Sequence, residues 1–139
     1  MADFRYALSI KQPWAALLIA GKKTIEIRSW PTTVRGLVLI HAGKTPDRRE
    51  EAWKLIDSPE LEVLASLTGG IIGCTELRAC KMYRTQTAFD ADHEQHWNSP
   101  DWYLPPQMYG YEFQNPRLIP FHPYTGKTLF FKVEGVTTS

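Results

Sequence analysis

A chain of 139 residues with 43% hydrophobic and 12% aromatic content can bury one core and is too short for two, so a single domain over residues 1–139 is expected. Its apolar residues come in runs of a few, broken by charge, which excludes both a disordered chain and a membrane-spanning helix. The net charge of +1 hides a segregation: Ser9 to Lys44 carries six cations (Lys11, Lys22, Lys23, Arg28, Arg35, Lys44) against Glu26 alone, whereas Thr45 to Ser139 carries nine basic and thirteen acidic side chains.

The opening MADFRYALSI runs directly into a strand-like pattern and lacks the apolar core and cleavage site of a secretory leader, so a cytoplasmic location is expected. Tyr6 to Ile10 reads as a strand. Pro13 to Ala20 reads as a short buried helix, with proline at its start, the apolar run WAALLIA, and Gly21 as its stop. In TIEIR the alternation sends Ile25 and Ile27 to one face and Thr24, Glu26 and Arg28 to the other. Trp30 to Gly36 is rich in turn residues. LVLIHA (Leu37 to Ala42) is apolar on both parities, as in a strand covered on both faces.

From Asp47 the pattern turns helical, with Asp47 as cap and Glu50 three residues on in a capping-box arrangement. A second helical segment is expected over Pro59 to Leu67. IIGCTELRACKMY (Ile71 to Tyr83) reads as a long strand with a bulge at Gly73. Thr85 to Pro106 is polar and acidic and reads as a long loop with one helical turn. YGYEFQ, RLIPF and KTLFFKVE supply closing strands, with Asn115-Pro116-Arg117 as a turn. Five to seven short strands with two to three helices favour a small mixed α+β barrel over an open sheet. Cys74 and Cys80 lie in one strand, a spacing that implies reduced thiols and neither a zinc site nor a disulfide framework. In DADHEQH the histidines are three apart, so the two-histidine pattern of a zinc protease is absent and a solvated loop is expected. Neither a metal nor a cofactor is called for.

Cations interleaved with Trp14 and Trp30, and ordered by proline and glycine, suggest a groove for an anionic, planar ligand, with nucleic acid as the first candidate. Trp14 reads either as core or as a stacking platform, and Trp30, before a proline in a turn, is the better stacking candidate. Gln12 reads as a base contact or as a cap for the following helix. Lys11 and Lys44 flank the same strands. His41, inside an apolar strand, reads as a hydrogen-bonded core histidine or as an acid–base group.

Gln12-Pro13-Trp14-Ala15, Gly21-Lys22-Lys23-Thr24-Ile25-Glu26-Ile27-Arg28, Arg35-Gly36 and Asn115-Pro116-Arg117 together resemble the ASCH domain family of the PUA-like group. The resemblance implies a β-barrel with a cleft beside the Trp14 helix, walled by the strand from Lys23 to Arg28. It places Arg35 at the cleft rim and adds Arg117 as a further cation. Members of the family are linked to nucleic-acid binding, to RNA cleavage and to hydrolysis of acetylated cytidine. In the deacetylating members a lysine, a threonine three positions on and a distant glutamate form the catalytic set. Lys23 matches that lysine, Glu26 stands where the threonine would be, and Glu94 is the matching acid. A carboxylate at that position activates water rather than attacking as a nucleophile.

The leading reading is therefore a protein that binds RNA, single-stranded nucleic acid or a nucleotide through Gln12, Trp14, Lys23, Thr24, Glu26, Arg28, Trp30, Arg35, His41, Lys44 and Arg117. The alternative is a small hydrolase of a modified nucleoside, or a ribonuclease, with Lys23 and Glu26 catalytic. A third reading is an adaptor whose Trp97 and Trp102 meet a protein partner.

Overall fold

The computed structural model describes residues 4–138. Six strands, β1 (Phe4–Ile10), β2 (Ile25–Arg28), β3 (Gly36–Ala42), β4 (Gly70–Tyr83), β5 (Met108–Pro123) and β6 (Phe130–Glu134), form one sheet in the order β2-β5-β4-β3-β1-β6. Only β1 and β3 run parallel; every other neighbouring pair is antiparallel. The sheet curls into a half-barrel, and its edge strands β2 and β6 are not hydrogen-bonded to each other. Side chains bridge the open seam. Tyr111 of β5 stacks on Phe130 of β6 with centroids 6.0 Å apart, and the Tyr111 hydroxyl donates to the Trp30 carbonyl just beyond β2.

The concavity is filled by α1 (Trp14–Ile19), all six of whose residues are buried. Its sequence is apolar all round, so no face prefers water, and it packs on β3, β4 and β5 and on α3 (Pro59–Ala65). Each fully buried Leu or Ile there contributes on the order of 1.5–3 kcal/mol. Gln12 anchors the helix start. Its amide nitrogen donates to the carbonyls of Leu64 and Leu67, and its amide oxygen accepts from the Ala16 amide. A second apolar layer, with Ala7, Leu39, Ile71, Phe131 and Val133, covers the convex face. This explains why β3 is apolar on both parities.

Three expectations are corrected. Asp47 caps no helix: α2 (Glu50–Trp53) begins after Arg49, because the Asp47 carboxylate is engaged by Trp14 and Arg49. The segment read as a loop holds α4 (Gln86–Ala91), α5 (His93–His96) and a 3-10 turn (Pro100–Trp102), anchored by buried Phe89 and His96, whose aromatic burial the polar composition concealed. Asn115-Pro116-Arg117 is no turn between strands. It lies inside the single 16-residue β5, where Asn115 takes φ 55° and the pairing with β4 shifts register, so a bulge absorbs the proline.

The bulge expected at Gly73 is present in the pairing with β3, where consecutive Ile40 and His41 face Gly73 and Ile71 and leave Ile72 as the extra residue. A Cβ at Gly73 would stand 2.5 Å from the Arg117 carbonyl oxygen and 2.7 Å from Ile19 Cδ1. Gly73→Ala should therefore push α1 away from the sheet and cost about 1–3 kcal/mol, read as a lower urea midpoint with an unchanged slope.

Candidate functional site

A cleft of about 680 Å³ opens at the seam, between the end of β1, the strand β2 and the loops that follow β3 and precede β6. Its floor is an ion network. Arg28 donates from Nε to Glu26 Oε2 at 3.1 Å, and from Nη2 to the Ser9 carbonyl at 3.0 Å, so one guanidinium ties β2 to β1. The β1–β6 pairing ends at Leu8–Phe130, one residue short of Ser9, and Arg28 takes the carbonyl that lies beyond it. Behind Glu26 lies Lys23, whose ammonium donates to the His96 carbonyl at 2.6 Å, stands 3.6 Å from Glu26 Oε1 and sits 4.7 Å from the Trp14 ring centre.

Lys23 is only 1% exposed, and its burial pushes its pKa down to about 8, against the opposing pull of Glu26. His96 is held neutral: Nε2–H donates to the Phe89 carbonyl and Nδ1 accepts the Asn98 amide, while burial, above all, lowers its pKa. The cleft wall beside Trp14 is a relay of its own. Trp14 Nε1 donates to Asp47 Oδ2 at 2.8 Å, Arg49 pairs with the same carboxylate, and the Arg49 guanidinium lies 3.5 Å over Trp102, which meets Trp14 edge-on. Burial alone would raise the Asp47 carboxyl, but the hydrogen bonds from Arg49 and then Trp14 hold it at about 2.

The structure gathers some of the expected site residues and separates others. Glu26, Arg28, Trp14 and Trp30 line the cleft. Trp14 is a buried wall with its N–H already bonded, whereas Trp30 is half-exposed, with Arg28 5.8 Å from its ring centre. Lys23 supports Glu26 from behind and does not line the cleft. Thr24 falls outside it as well: its backbone N–H donates to Gln95 and its carbonyl accepts from Phe113, ahead of the first residue of β2. Gln12 is wholly buried as the helix anchor. His41 is a core histidine whose Nε2–H donates to the Tyr124 carbonyl while Nδ1 is bonded to Ser9 Oγ. Arg35 folds back onto the carbonyls of Thr32 and Val34, Lys44 lies along Gly69, and Arg117 reaches the Thr138 carbonyl; none lines the cleft.

Sequence reasoning gave no weight to Asp47, Arg49, Asn98, Lys127 and Thr128 as cleft residues, and passed over Leu104, Met108 and Leu129. No local pattern marks them, because they reach the cleft from four separate stretches, 47–49, 98, 104–108 and 127–129. Trp97 and Trp102 form no exposed apolar patch; both pack partly against the core, and Trp97 Nε1 donates to the Lys22 carbonyl. Among the described residues no three His, Cys, Asp or Glu side chains cluster as metal ligands, and no helix is long and apolar enough to cross a membrane.

The profile of the ASCH domain matches residues 8–124, which takes in the helix, the β2 strand and all of β5. The chain belongs to the ASCH domain family. It is 36% identical over 85 residues to Activating signal cointegrator 1 of Mus musculus and 35% identical to that of Homo sapiens; each match covers 56% of this ASCH chain and 15% of the relative. The chain thus spans a small fraction of the curated relatives it matches. Its fold is similar to the crystal structure of ASCH from Zymomonas mobilis, with a TM-score of 0.62 at 15% identity, covering 86% of this chain and 73% of that one. A variant of the same Zymomonas protein superimposes with a TM-score of 0.61. The six-stranded curled sheet around a short buried helix is therefore the fold of an ASCH domain.

The Lys23 ammonium makes stability depend on pH in the alkaline range. Unfolded, the group keeps its proton until near 10.5, whereas folded it releases it from about 8. Between these values the unfolded chain binds more protons, so stability rises with pH, by at most about 1.4 kcal/mol per pH unit. Urea unfolding between about pH 7.5 and 9, where tyrosines of ordinary pKa near 10 still keep most of their protons, should show this rise, and Lys23→Met should flatten it.

Proposed function

We propose that this ASCH domain binds RNA or a nucleotide in the seam cleft, with phosphate held by the cations at its rim and a base set against Trp30 and Glu26. One observation carries the reading. Arg28 and Glu26 are locked side by side on the cleft floor as a fixed donor and acceptor, below Lys11 and Lys127, which make no ion pair or side-chain hydrogen bond among the described residues. Four lining cations, Lys11, Arg28, Arg49 and Lys127, face two carboxylates, Glu26 and Asp47, so the cleft attracts anions while keeping acceptors for base amino groups.

Glu26 Oε2 is occupied by Arg28, while Oε1 has only the 3.6 Å ion pair to Lys23. An exocyclic amino group of a base fits Oε1, and Nη1 of Arg28 fits a neighbouring carbonyl. Trp30 offers the half-exposed face on which a base stacks. The cleft volume falls within the usual range for small-ligand sites, sufficient for about one nucleotide. A cytoplasmic setting, in keeping with the unpaired Cys74 and Cys80, belongs to the same reading.

Binding of a labelled single-stranded RNA should weaken as salt rises, with a slope of about −0.7 per contacted phosphate. The double variant Lys11→Ala/Lys127→Ala should lower that slope by about one phosphate per lysine, whereas Lys22→Ala, whose ammonium pairs with exposed Asp57, should leave it unchanged. A salt-independent isotherm would remove phosphate from the reading. Glu26→Gln should alter base preference by about 1–3 kcal/mol while leaving the salt slope intact, as measured by competition with the four homopolymers.

A second reading, a hydrolase of a modified nucleoside, is favoured by one observation: Glu26 opens to the cleft with a lysine of pKa about 8 behind it, a pair suited to activating water near neutral pH. Release of acetate from N4-acetylcytidine, lost in Glu26→Gln, would place catalysis ahead of simple binding.

A further inference from the structure

The concave face of β1 does not end at the cleft. Ile10 lines it, Leu8 is buried beneath it, and the next two residues of the same parity, Tyr6 and Phe4, are 36% and 43% exposed. A file of rings connects them to the site. Trp30, in the cleft wall, meets Phe130 edge-on at 6.4 Å; Phe130 meets Tyr6 at 6.3 Å; Tyr6 meets Phe4 at 5.5 Å. Lys132, paired with Tyr6 in the β1–β6 register, holds its ammonium 4.7 Å from the Phe4 ring centre. Core packing accounts for Phe130 and Trp30, which rest against the main cluster, but among the described residues the two outer rings stay 36% and 43% exposed.

We infer that the ligand is a single strand of several nucleotides, one of which enters the cleft while its neighbours stack along Tyr6 and Phe4. The inference rests on the nucleic-acid reading of the cleft and adds the class of substrate: a strand rather than a free nucleoside. Three features fit a strand. The rings are continuous with the cleft, so one chain can occupy both. Tyr6 and Phe4 are two residues apart on one strand face with their ring centres 5.5 Å apart and their planes at 82°, so successive bases can each meet a different ring. Lys132, with its ammonium over the Phe4 ring, puts a cation on the file within reach of a strand's phosphate. A duplex is disfavoured, because its bases are stacked on one another and present no open faces to the rings.

Fluorescence anisotropy at fixed salt, with labelled mononucleotide, trinucleotide and hexanucleotide RNA and the matching DNA, tests this. The hexamer should bind at least about tenfold tighter than the mononucleotide; Tyr6→Ala should remove most of that gain, Tyr6→Phe should keep it, and neither should change mononucleotide binding. Both substitutions lie on an exposed ring, and an unchanged urea midpoint verifies the fold. Equal affinity for all lengths, or a length gain untouched by Tyr6→Ala, overturns the inference while leaving the cleft reading in place. Absence of binding to every oligomer and to the mononucleotide overturns both. Concentration-dependent self-association that disappears in Tyr6→Ala would assign the rings to a protein contact and also overturn it.

Discussion

The structure turns on the Arg28 guanidinium. A six-stranded sheet that curls without closing leaves two edges to be satisfied, and β6 stops one residue before the Ser9 carbonyl. Arg28 fills that gap from the opposite edge while it holds Glu26. Its planar fork suits this double role, since two nitrogens in fixed relation bond two acceptors on different strands, which a lysine, a point charge on a flexible stem, cannot reproduce. Because the seam is held by side chains rather than by a continuous ladder, it opens into a cleft, and the residues that close the barrel also form the cleft floor.

The cost of this arrangement falls on Lys23. A full charge 1% exposed is tolerated because His96 supplies a carbonyl and Glu26 an opposing charge, and Trp14 lays its ring face against the ammonium. The depressed pKa shows that the compensation is incomplete. What the buried lysine provides is position: it fixes the rear of Glu26 and ties the 93–98 segment, through the His96 carbonyl, to the strand β2. Asn98, in the same segment, reaches the cleft, so Lys23 joins the polar floor to one wall, alongside the Thr24–Gln95 and Trp97–Lys22 hydrogen bonds.

Charge follows the same logic. The six cations between Ser9 and Lys44 suggested a cationic groove, yet only Lys11 and Arg28 among them reach the cleft. Lys22 pairs with Asp57, Arg35 satisfies backbone carbonyls, Lys44 lies against Gly69 and Lys23 is interior. Arg49 and Lys127, from the segment whose net charge is acidic, complete the set. Clustering along the chain is not clustering in space, since alternation along a strand and the route of each loop decide where a side chain ends.

The sequence alone determined the pieces governed by local rules. Period-two alternation gave β2, a short run apolar on both parities gave β3, the apolar run after Pro13 gave α1, the glycine in IIGCTEL gave the bulge, and the Gly-Lys-Lys-Thr to Arg28 stretch carried the family. It left Gln12 and His41 open between ligand contact and core group, and only the partners, the Leu64, Leu67 and Tyr124 carbonyls more than fifty residues away, chose the core. The polar stretch after Thr85 hid two helices because its few buried rings, Phe89 and His96, are too sparse to set a period. The cleft itself was decided by tertiary structure: its walls come from segments far apart in the chain, and they meet only because the sheet curls until its unpaired edges face each other.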